Sequence, residues 1–190
     1  MPLNPPVQRR EVHHRVIDMK AYAREDGLFD IEARLIDRKP FPFQRTAAPE
    51  PWPAGSALHD LTIRMTVDDQ YVVCQMAAAS DVTPFGICKE TESTLSVLVG
   101  ERIASGWAQK VKERLRGTAG CTHLMEMLIP MATTAIQGVR GLHPERRRAV
   151  GANGEPLSLD SCYAYARHRD VVKMAWPEHY RPRKEPGSLG

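Results

Sequence analysis

The chain has 190 residues, of which 42% are hydrophobic and 26% charged, and its formal net charge is +3. This length suits one domain over residues 1–190, and the composition excludes a disordered or fibrous protein. No apolar run approaches the roughly 20 residues that a spanning helix needs, so the sequence also argues against a membrane protein.

The two ends of the chain and its charge limit the location and the partners. Residues 1–12 are polar and Pro-rich and lack the apolar stretch of a secretion signal, so we expect a flexible segment and a cytoplasmic protein. The mild positive charge is concentrated in a basic loop at 140–158, and only 6% of residues are aromatic, which argues against a nucleic-acid partner. The four cysteines form no Cys-x-x-Cys pair, and disulfides are not expected.

Two β-hairpins are predicted in the first half of the chain, separated by a Pro-rich loop at 40–56. In the first hairpin, over residues 16–37, apolar and polar residues alternate, which is the period of a strand with one buried face. The second hairpin, over residues 61–77, repeats this alternation around a turn at 68–70. The apolar residues expected on the buried face are Phe29, Ile31, Ala33, Leu35, Leu61, Ile63, Met65 and Val67.

Three helices are predicted after the hairpins, over about residues 84–100, 103–115 and 122–138, and each ends near a glycine. The third helix has the clearest helical period, although Pro130 is expected to distort its middle. Its residues expected to face the core are Leu124, Leu128, Met131 and Ala135.

A last hairpin is predicted near the C-terminus, with strands at 163–166 and 171–175 before a flexible tail at 178–190. The order is therefore two hairpins, three helices and a third hairpin. This order predicts an α+β fold, in which an antiparallel sheet of β-hairpins carries about three helices packed on one face.

The residues best suited to chemistry lie in the sequence Gly-Cys-Thr-His-Leu at 120–124. Thr122 is predicted to cap the third helix and to place Cys121 and His123 around its N-terminus, where the helix dipole favours a thiolate. A thiolate and an imidazole are ligands for zinc or iron, and they also form a nucleophile and base pair. Both residues are otherwise explained as packing and capping groups.

Partners for this pair are expected at the ends of the second hairpin. His59 and Asp60 stand at its head and Asp81 follows its return strand, so all three are expected at one end of the sheet. Asp60 is equally explained as a turn residue at the strand start, and Asp81 as the N-cap of the next helix. Cys162 is a further candidate ligand.

Other polar residues are set aside because their context explains them. Cys74 lies in an apolar strand and Cys88 in a helix, where each is expected to be a small buried hydrophobic residue. His13 and His14 point to opposite faces of an extended segment and are interpreted as surface or partner-contact residues. The motifs of phosphate-binding loops, serine hydrolases, zinc proteases and EF-hands are absent from the sequence.

The chain contains the four short motifs REDGLFDIE at 24–32, HD at 59–60, GCTHLME at 120–126 and ATTAIQ at 132–137. Together they resemble a conserved bacterial family of domains of unknown function. The resemblance extends over about residues 15–177 and implies no activity.

A looser resemblance, over about residues 58–138, is to the NifU-type iron–sulfur scaffold proteins. Asp60, residues 81–84 and Cys121 fall near the three cysteine positions of that scaffold. The resemblance implies a related fold and a ligand role for Cys121. Since two of the three cysteines are missing, the residues that would replace them are His59, Asp81 and His123.

Two functions are predicted, beside a purely structural or partner-binding role. The first is a metal-binding module for zinc or iron around Cys121 and His123, with Asp60 or His59 and with Asp81 or Cys162 as further ligands. The second is a small enzyme in which the same pair is the nucleophile or acid–base group and Asp60 or Asp81 orients it. We expect a small molecule or a metal as the partner, no membrane, and Asp60, Asp81 and Cys121 in one pocket. The sequence allows a homo-oligomer.

Overall fold

The computed structural model describes residues 7–44, 46, 49–143, 150 and 153–183. It divides into two compact units, Met1–Val139 and Arg140–Gly190, and each is described by itself. One domain over residues 1–190 stays a prediction. The segments expected to be flexible or looped, at 1–12, 40–56, 140–158 and 178–190, each lie partly outside the described residues.

Among the described residues, four antiparallel strands form one sheet in which each strand pairs with its neighbour in sequence. The strands are β1 (His14–Ala23), β2 (Phe29–Arg38), β3 (Ala57–Val67) and β4 (Val73–Val82). Both predicted hairpins are confirmed. The register shifts between Asp37 and Arg38 on β2, and between Asp60 and Leu61 on β3, so the pairing is irregular at one end of the sheet.

One face of the sheet is buried because apolar residues alternate along β2 and β3. Leu35 pairs with Leu61 and Ala33 with Ile63, so the two apolar series lie side by side. All eight residues predicted on this face are buried in one apolar cluster. Asp37 continues the series on β2 and is also buried.

The predicted first helix forms as a 3-10 helix, Gly86–Leu98, rather than an α-helix. Its sequence is rich in Ser and Thr, whose hydroxyls compete for backbone carbonyls and so disfavour regular α geometry. The hydroxyls donate to carbonyls three residues earlier, from Thr91 to Cys88, Ser93 to Glu90, Thr94 to Thr91 and Ser96 to Ser93.

Two α-helices complete the layer on the buried face, α1 (Trp107–Leu115) and α2 (Thr122–Leu142). The four residues of α2 predicted to face the core are buried in the same apolar cluster as the sheet residues. The α+β fold with about three helices on an antiparallel sheet is therefore confirmed. In the part of the chain that the structure describes, no helix is both long and apolar enough to cross a membrane.

The predicted end of α2 at Gly138 is wrong, because the helix continues to Leu142. Gly138 does not end the helix, and a glycine is required there for close packing. A Cβ atom at this position would lie 2.6 Å from the Cβ of Ala21 on β1, which is closer than two carbon atoms can approach. The small residue therefore lets α2 lie close to the edge strand.

The predicted last hairpin is also wrong, because residues 161–169 form turns and Asp170–Ala175 forms the short helix α3. Asp170 places a carboxylate in the first turn, where the helix dipole favours it. Val172 is buried whereas Val171 and Met174 are exposed, so this segment lacks the buried alternation of a strand. Six residues are too few to distinguish the two periods from sequence.

The core position of Leu128 gives a first prediction. Leu128 is fully buried, so Leu128→Ala should lower the free energy of unfolding by about 2–5 kcal/mol through lost contacts and a residual cavity. The measurement is urea-induced unfolding followed by circular dichroism. Gln137→Ala, at an exposed position of the same helix, is the control and should leave stability nearly unchanged. Equal stability of Leu128→Ala and wild type would contradict the assigned face of α2.

Candidate functional site

A buried carboxylate, Asp37, lies at the end of β2 and organises the site. Because Ile31, Ala33 and Leu35 point to the buried face, the two-residue period of the strand sends Asp37 to the same side. Its side chain is only 1% exposed. An ionised carboxylate removed from water costs several kcal/mol unless other groups pair with it.

Arg15 on β1 provides the main partner of this carboxylate. Its Nε donates to Oδ1 of Asp37 at 2.7 Å, and its Nη2 donates to Oδ2 at 2.8 Å, which is the two-pronged geometry that suits a guanidinium. The remaining Nη1 donates to Glu126 on α2 at 3.0 Å. Arg15 therefore joins β1, β2 and α2 at one point.

Three histidines surround the same carboxylate. His59 Nδ1 lies 3.0 Å from Oδ2 of Asp37, His13 Nε2 lies 3.1 Å from Oδ1, and His123 Nε2 lies 3.8 Å from Oδ2. The rings of His59 and His123 lie with their centroids 3.9 Å apart and their planes tilted by 35°. One donor atom each from Asp37, His59 and His123 lies within 4.8 Å of the other two.

The environment sets the charge of these groups. Burial raises the pKa of Asp37, but the hydrogen bonds and charge of Arg15, together with the charges of His59 and His13, outweigh it and hold the pKa at about 2. Burial lowers the pKa of His59, and so does the charge of His123, whereas Asp37 opposes this change only in part. At neutral pH the site therefore holds a carboxylate and a neutral His59 imidazole.

Cys121 caps helix α2. Its carbonyl accepts the Met125 N–H at 2.9 Å, so Cys121 is the N-cap residue and the predicted N-cap role of Thr122 is wrong. Burial raises the pKa of the Cys121 thiol, but its contact with His123 and the backbone N–H groups of Leu124 and His123 lower that pKa on balance. The thiol is thus more acidic than a free cysteine.

The two nitrogens of His123 face different groups. Cys121 Sγ lies 3.8 Å from Nδ1, whereas Asp37 Oδ2 lies 3.8 Å from Nε2. The two nitrogens of an imidazole point in divergent directions. The thiol and the carboxylate therefore approach His123 from different sides.

A cavity of about 720 Å³ opens beside these groups. Its walls come from β3, β4, the 3-10 helix and the start of α2, and His59, Cys121 and His123 line it. This volume lies within the range of small-molecule sites. The predicted grouping of His59, Cys121 and His123 is thus present in the structure.

Asp60 and Asp81 are not among the residues that line this cavity. Asp60 follows His59 on β3 and so points to the other face of the sheet, where Arg34 donates to both of its oxygens at 2.8 and 2.7 Å. Asp81 is exposed, and its charge acts on Arg34. The structure therefore does not bring these two carboxylates to Cys121 in the expected pocket.

Three other outcomes concern single residues. Cys162 is exposed and belongs to the second unit, and its ligand role stays a prediction. The sequence analysis missed Asp37 and Arg15, because neither belongs to a motif around Cys121. The available signal was the strand period, since Asp37 is the next inward position after Leu35. His13, interpreted from sequence as a surface or partner-contact residue, is exposed and also contacts Asp37.

Residues 13–137 match the profile of a family described as Protein of unknown function (DUF2889). The chain belongs to the DUF2889 family. The predicted membership of a family of domains of unknown function is therefore confirmed. The matched range contains all the groups around Asp37, from His13 to Glu126. No curated protein and no solved structure matches the chain.

The resemblance to NifU-type scaffold proteins is not supported. It places Asp60 and residues 81–84 near ligand positions beside Cys121. In this DUF2889 domain Asp60 is paired with Arg34 on the opposite face of the sheet, and Asp81 is exposed.

The charge of Asp37 predicts how stability depends on pH. Its pKa of about 2 in the folded state lies below the ordinary value of 3.8, so its stabilisation is fully present above about pH 4 and is lost as the pH falls through about 2. The difference corresponds to about 2 kcal/mol, an upper value because Arg15 is one-third exposed.

Asp37→Asn should lack this acid-dependent loss, whatever its stability at neutral pH. The measurement is the free energy of unfolding in urea at several pH values between about pH 6 and pH 2. Asp81→Asn, which removes an exposed carboxylate, should keep the wild-type profile. An unchanged acid-dependent loss in Asp37→Asn would contradict the assignment.

Proposed function

We propose that the domain binds one transition-metal ion, zinc or iron, between Asp37, His59 and His123. The observation that supports it is the convergence of one carboxylate oxygen and two imidazole nitrogens, from β2, β3 and α2, within 4.8 Å. Two histidines and one carboxylate are a donor set of catalytic zinc sites and of non-haem iron sites. Three protein donors leave at least one coordination position for water or a small molecule.

The charge states of the donors support the same proposal. A metal ligand must be deprotonated, and the low pKa of Asp37 and the lowered pKa of His59 provide a carboxylate and a neutral imidazole at neutral pH. Arg15 orients the carboxylate, as outer partners of metal ligands do. Its positive charge opposes a cation, but Glu126 lies 3.0 Å from Arg15 and offsets that charge.

This ligand set modifies the one expected from sequence. His59 and His123 remain, and Asp37 takes the place of Asp60. Cys121 is left out because its sulfur lies near Nδ1 of His123, whereas Asp37 lies near Nε2. A cytoplasmic location stays a prediction.

Metal content tests the proposal. Wild-type protein purified without an affinity tag or chelator, both in air and anaerobically, should contain about one zinc or iron ion per chain. Asp37→Asn, His59→Gln and His123→Gln should each lose most of this metal, as measured by inductively coupled plasma mass spectrometry.

Asp60→Asn is the matched control, because it removes a carboxylate from the opposite face of the same sheet end and should keep the metal. Circular dichroism spectra would establish that each variant is folded. Wild-type protein without stoichiometric metal, which also binds none when zinc or iron(II) is added, would overturn the proposal.

A metal-independent enzyme is the second candidate, and the order of groups around His123 favours it. Cys121, His123 and Asp37 stand in the sequence thiol, imidazole, carboxylate, with 3.8 Å at each step. This is the order of a nucleophile, its base and the group that orients the base. The cavity beside Cys121 would hold a small-molecule substrate, and Asp37 replaces the predicted Asp60 or Asp81 as the orienting group.

The reactivity of Cys121 tests the second candidate. If Cys121 is an activated free thiol, iodoacetamide should label it before Cys74 and Cys88, and labelling should persist well below the pKa near 8.5 of a free thiol. Site-resolved labelling by peptide mass spectrometry is the measurement.

Labelling of Cys121 only after a chelator is added would make it a metal ligand and would contradict the ligand set proposed above. No labelling in the folded protein would identify a structural sulfur and would exclude the enzyme with a Cys121 nucleophile. Exposed Cys162 serves as the internal control for reagent activity.

A further inference from the structure

We infer that the cavity beside the histidines binds an uncharged, largely apolar small molecule that carries a hydrogen-bond donor, such as a hydroxyl or a primary amide. Its place next to a metal ion rests on the proposed function. Binding of the small molecule itself requires no metal ion, because it depends on the side chains that line the cavity. Size, charge and hydrogen-bonding capacity of these walls each support the inference.

The apolar character follows from the side chains at the cavity. Leu61 forms part of its wall, and Phe85 and Ile87 also line it although they are 46% and 68% exposed. Large apolar side chains that remain open to water around a cavity of about 720 Å³ are typical of a ligand site. An apolar ligand would cover both residues.

The absence of cations at the cavity argues against an anionic ligand. Among the described residues that line it, none is Lys or Arg, and the one carboxylate is Glu90. In the metal-free protein, a phosphate or carboxylate that entered the cavity would lose its hydration without gaining a counter-charge, which is costly. At the N-terminus of α2, the backbone N–H groups of His123 and Leu124 already interact with the Cys121 sulfur.

Three of the five threonines in the wall favour a ligand that donates a hydrogen bond. Each hydroxyl has one proton, and three of these protons are already donated to backbone carbonyls within the protein. The donors are Thr83 to Phe85, Thr91 to Cys88 and Thr94 to Thr91, at 2.9, 2.6 and 2.7 Å. These three oxygens, together with Glu90, therefore offer a ligand acceptor capacity.

Three probes with the same apolar part test the inference: 4-phenylbutanamide, its N,N-dimethyl derivative, which has no donor, and 4-phenylbutyrate, which is an anion. Binding is measured by calorimetry on chelator-treated, metal-free protein. The primary amide should bind about tenfold more tightly than either other probe, since each lacks one favourable feature.

Two variants locate the site. Ile87→Ala should weaken amide binding about tenfold, because it removes apolar surface that the ligand covers. Val97→Ala is the matched control, since Val97 is 44% exposed on the same 3-10 helix but does not line the cavity. It should leave amide binding unchanged.

The inference is overturned if no probe binds, if the carboxylate or the dimethylamide binds as tightly as the primary amide, or if Val97→Ala weakens binding as much as Ile87→Ala. Metal content, measured on the same protein before chelation, separates this result from the proposed metal centre. Amide binding without native metal supports the cavity site alone. Native metal without amide binding supports the metal centre alone.

Discussion

The ion pair between Arg15 and Asp37 is the interaction on which the site depends. Asp37 is almost fully buried, and the two-pronged guanidinium is the main group that makes that burial tolerable for a charge. The same guanidinium reaches Glu126, so one side chain fixes the edge strand, its neighbour and helix α2. Removing Arg15 would leave a buried charge whose remaining close partners are His13 and His59. The positions of the histidines thus depend on the ion pair between Arg15 and Asp37, although Arg15 is not one of the proposed metal ligands.

Strand alternation decides which polar residues enter the site. Asp37 and His59 continue the inward series of β2 and β3, whereas Asp60, one residue further, points outward to Arg34. A shift of one residue exchanges the two faces of a strand. The register shifts beside Asp37 and Asp60 occur where the sheet ends, so polar side chains replace the apolar core there. The inward side chains of β2 and β3 thereby change from apolar to polar at this end of the sheet.

The same alternation explains what the sequence reveals and what it conceals. The hairpins, the buried face of α2 and the grouping of His59, Cys121 and His123 follow from local period and helix-start signals. The role of Asp37 does not follow from these signals, because it depends on Arg15, which is distant in sequence and belongs to no motif. Gly138 resembles a helix stop, and only its approach to Ala21 reveals a packing role. The final helix is too short for its period to be read. Local patterns therefore predict elements well, whereas contacts between side chains far apart in sequence decide the site.

His123 links the two chemical hypotheses, because its two nitrogens serve different groups. When Nε2 binds a metal beside Asp37, the proton of the neutral ring resides on Nδ1, which faces Cys121 at 3.8 Å. The ring then donates toward the sulfur and favours the thiolate, while the thiolate orients the ring as an outer partner of the metal ligand. In the enzyme hypothesis, Nδ1 would instead accept the thiol proton on the side of the ring that faces away from Asp37. In both hypotheses Cys121 would respond to what happens on the opposite side of the His123 ring. The thiol therefore belongs to the same site as the carboxylate, although the two approach His123 from different directions.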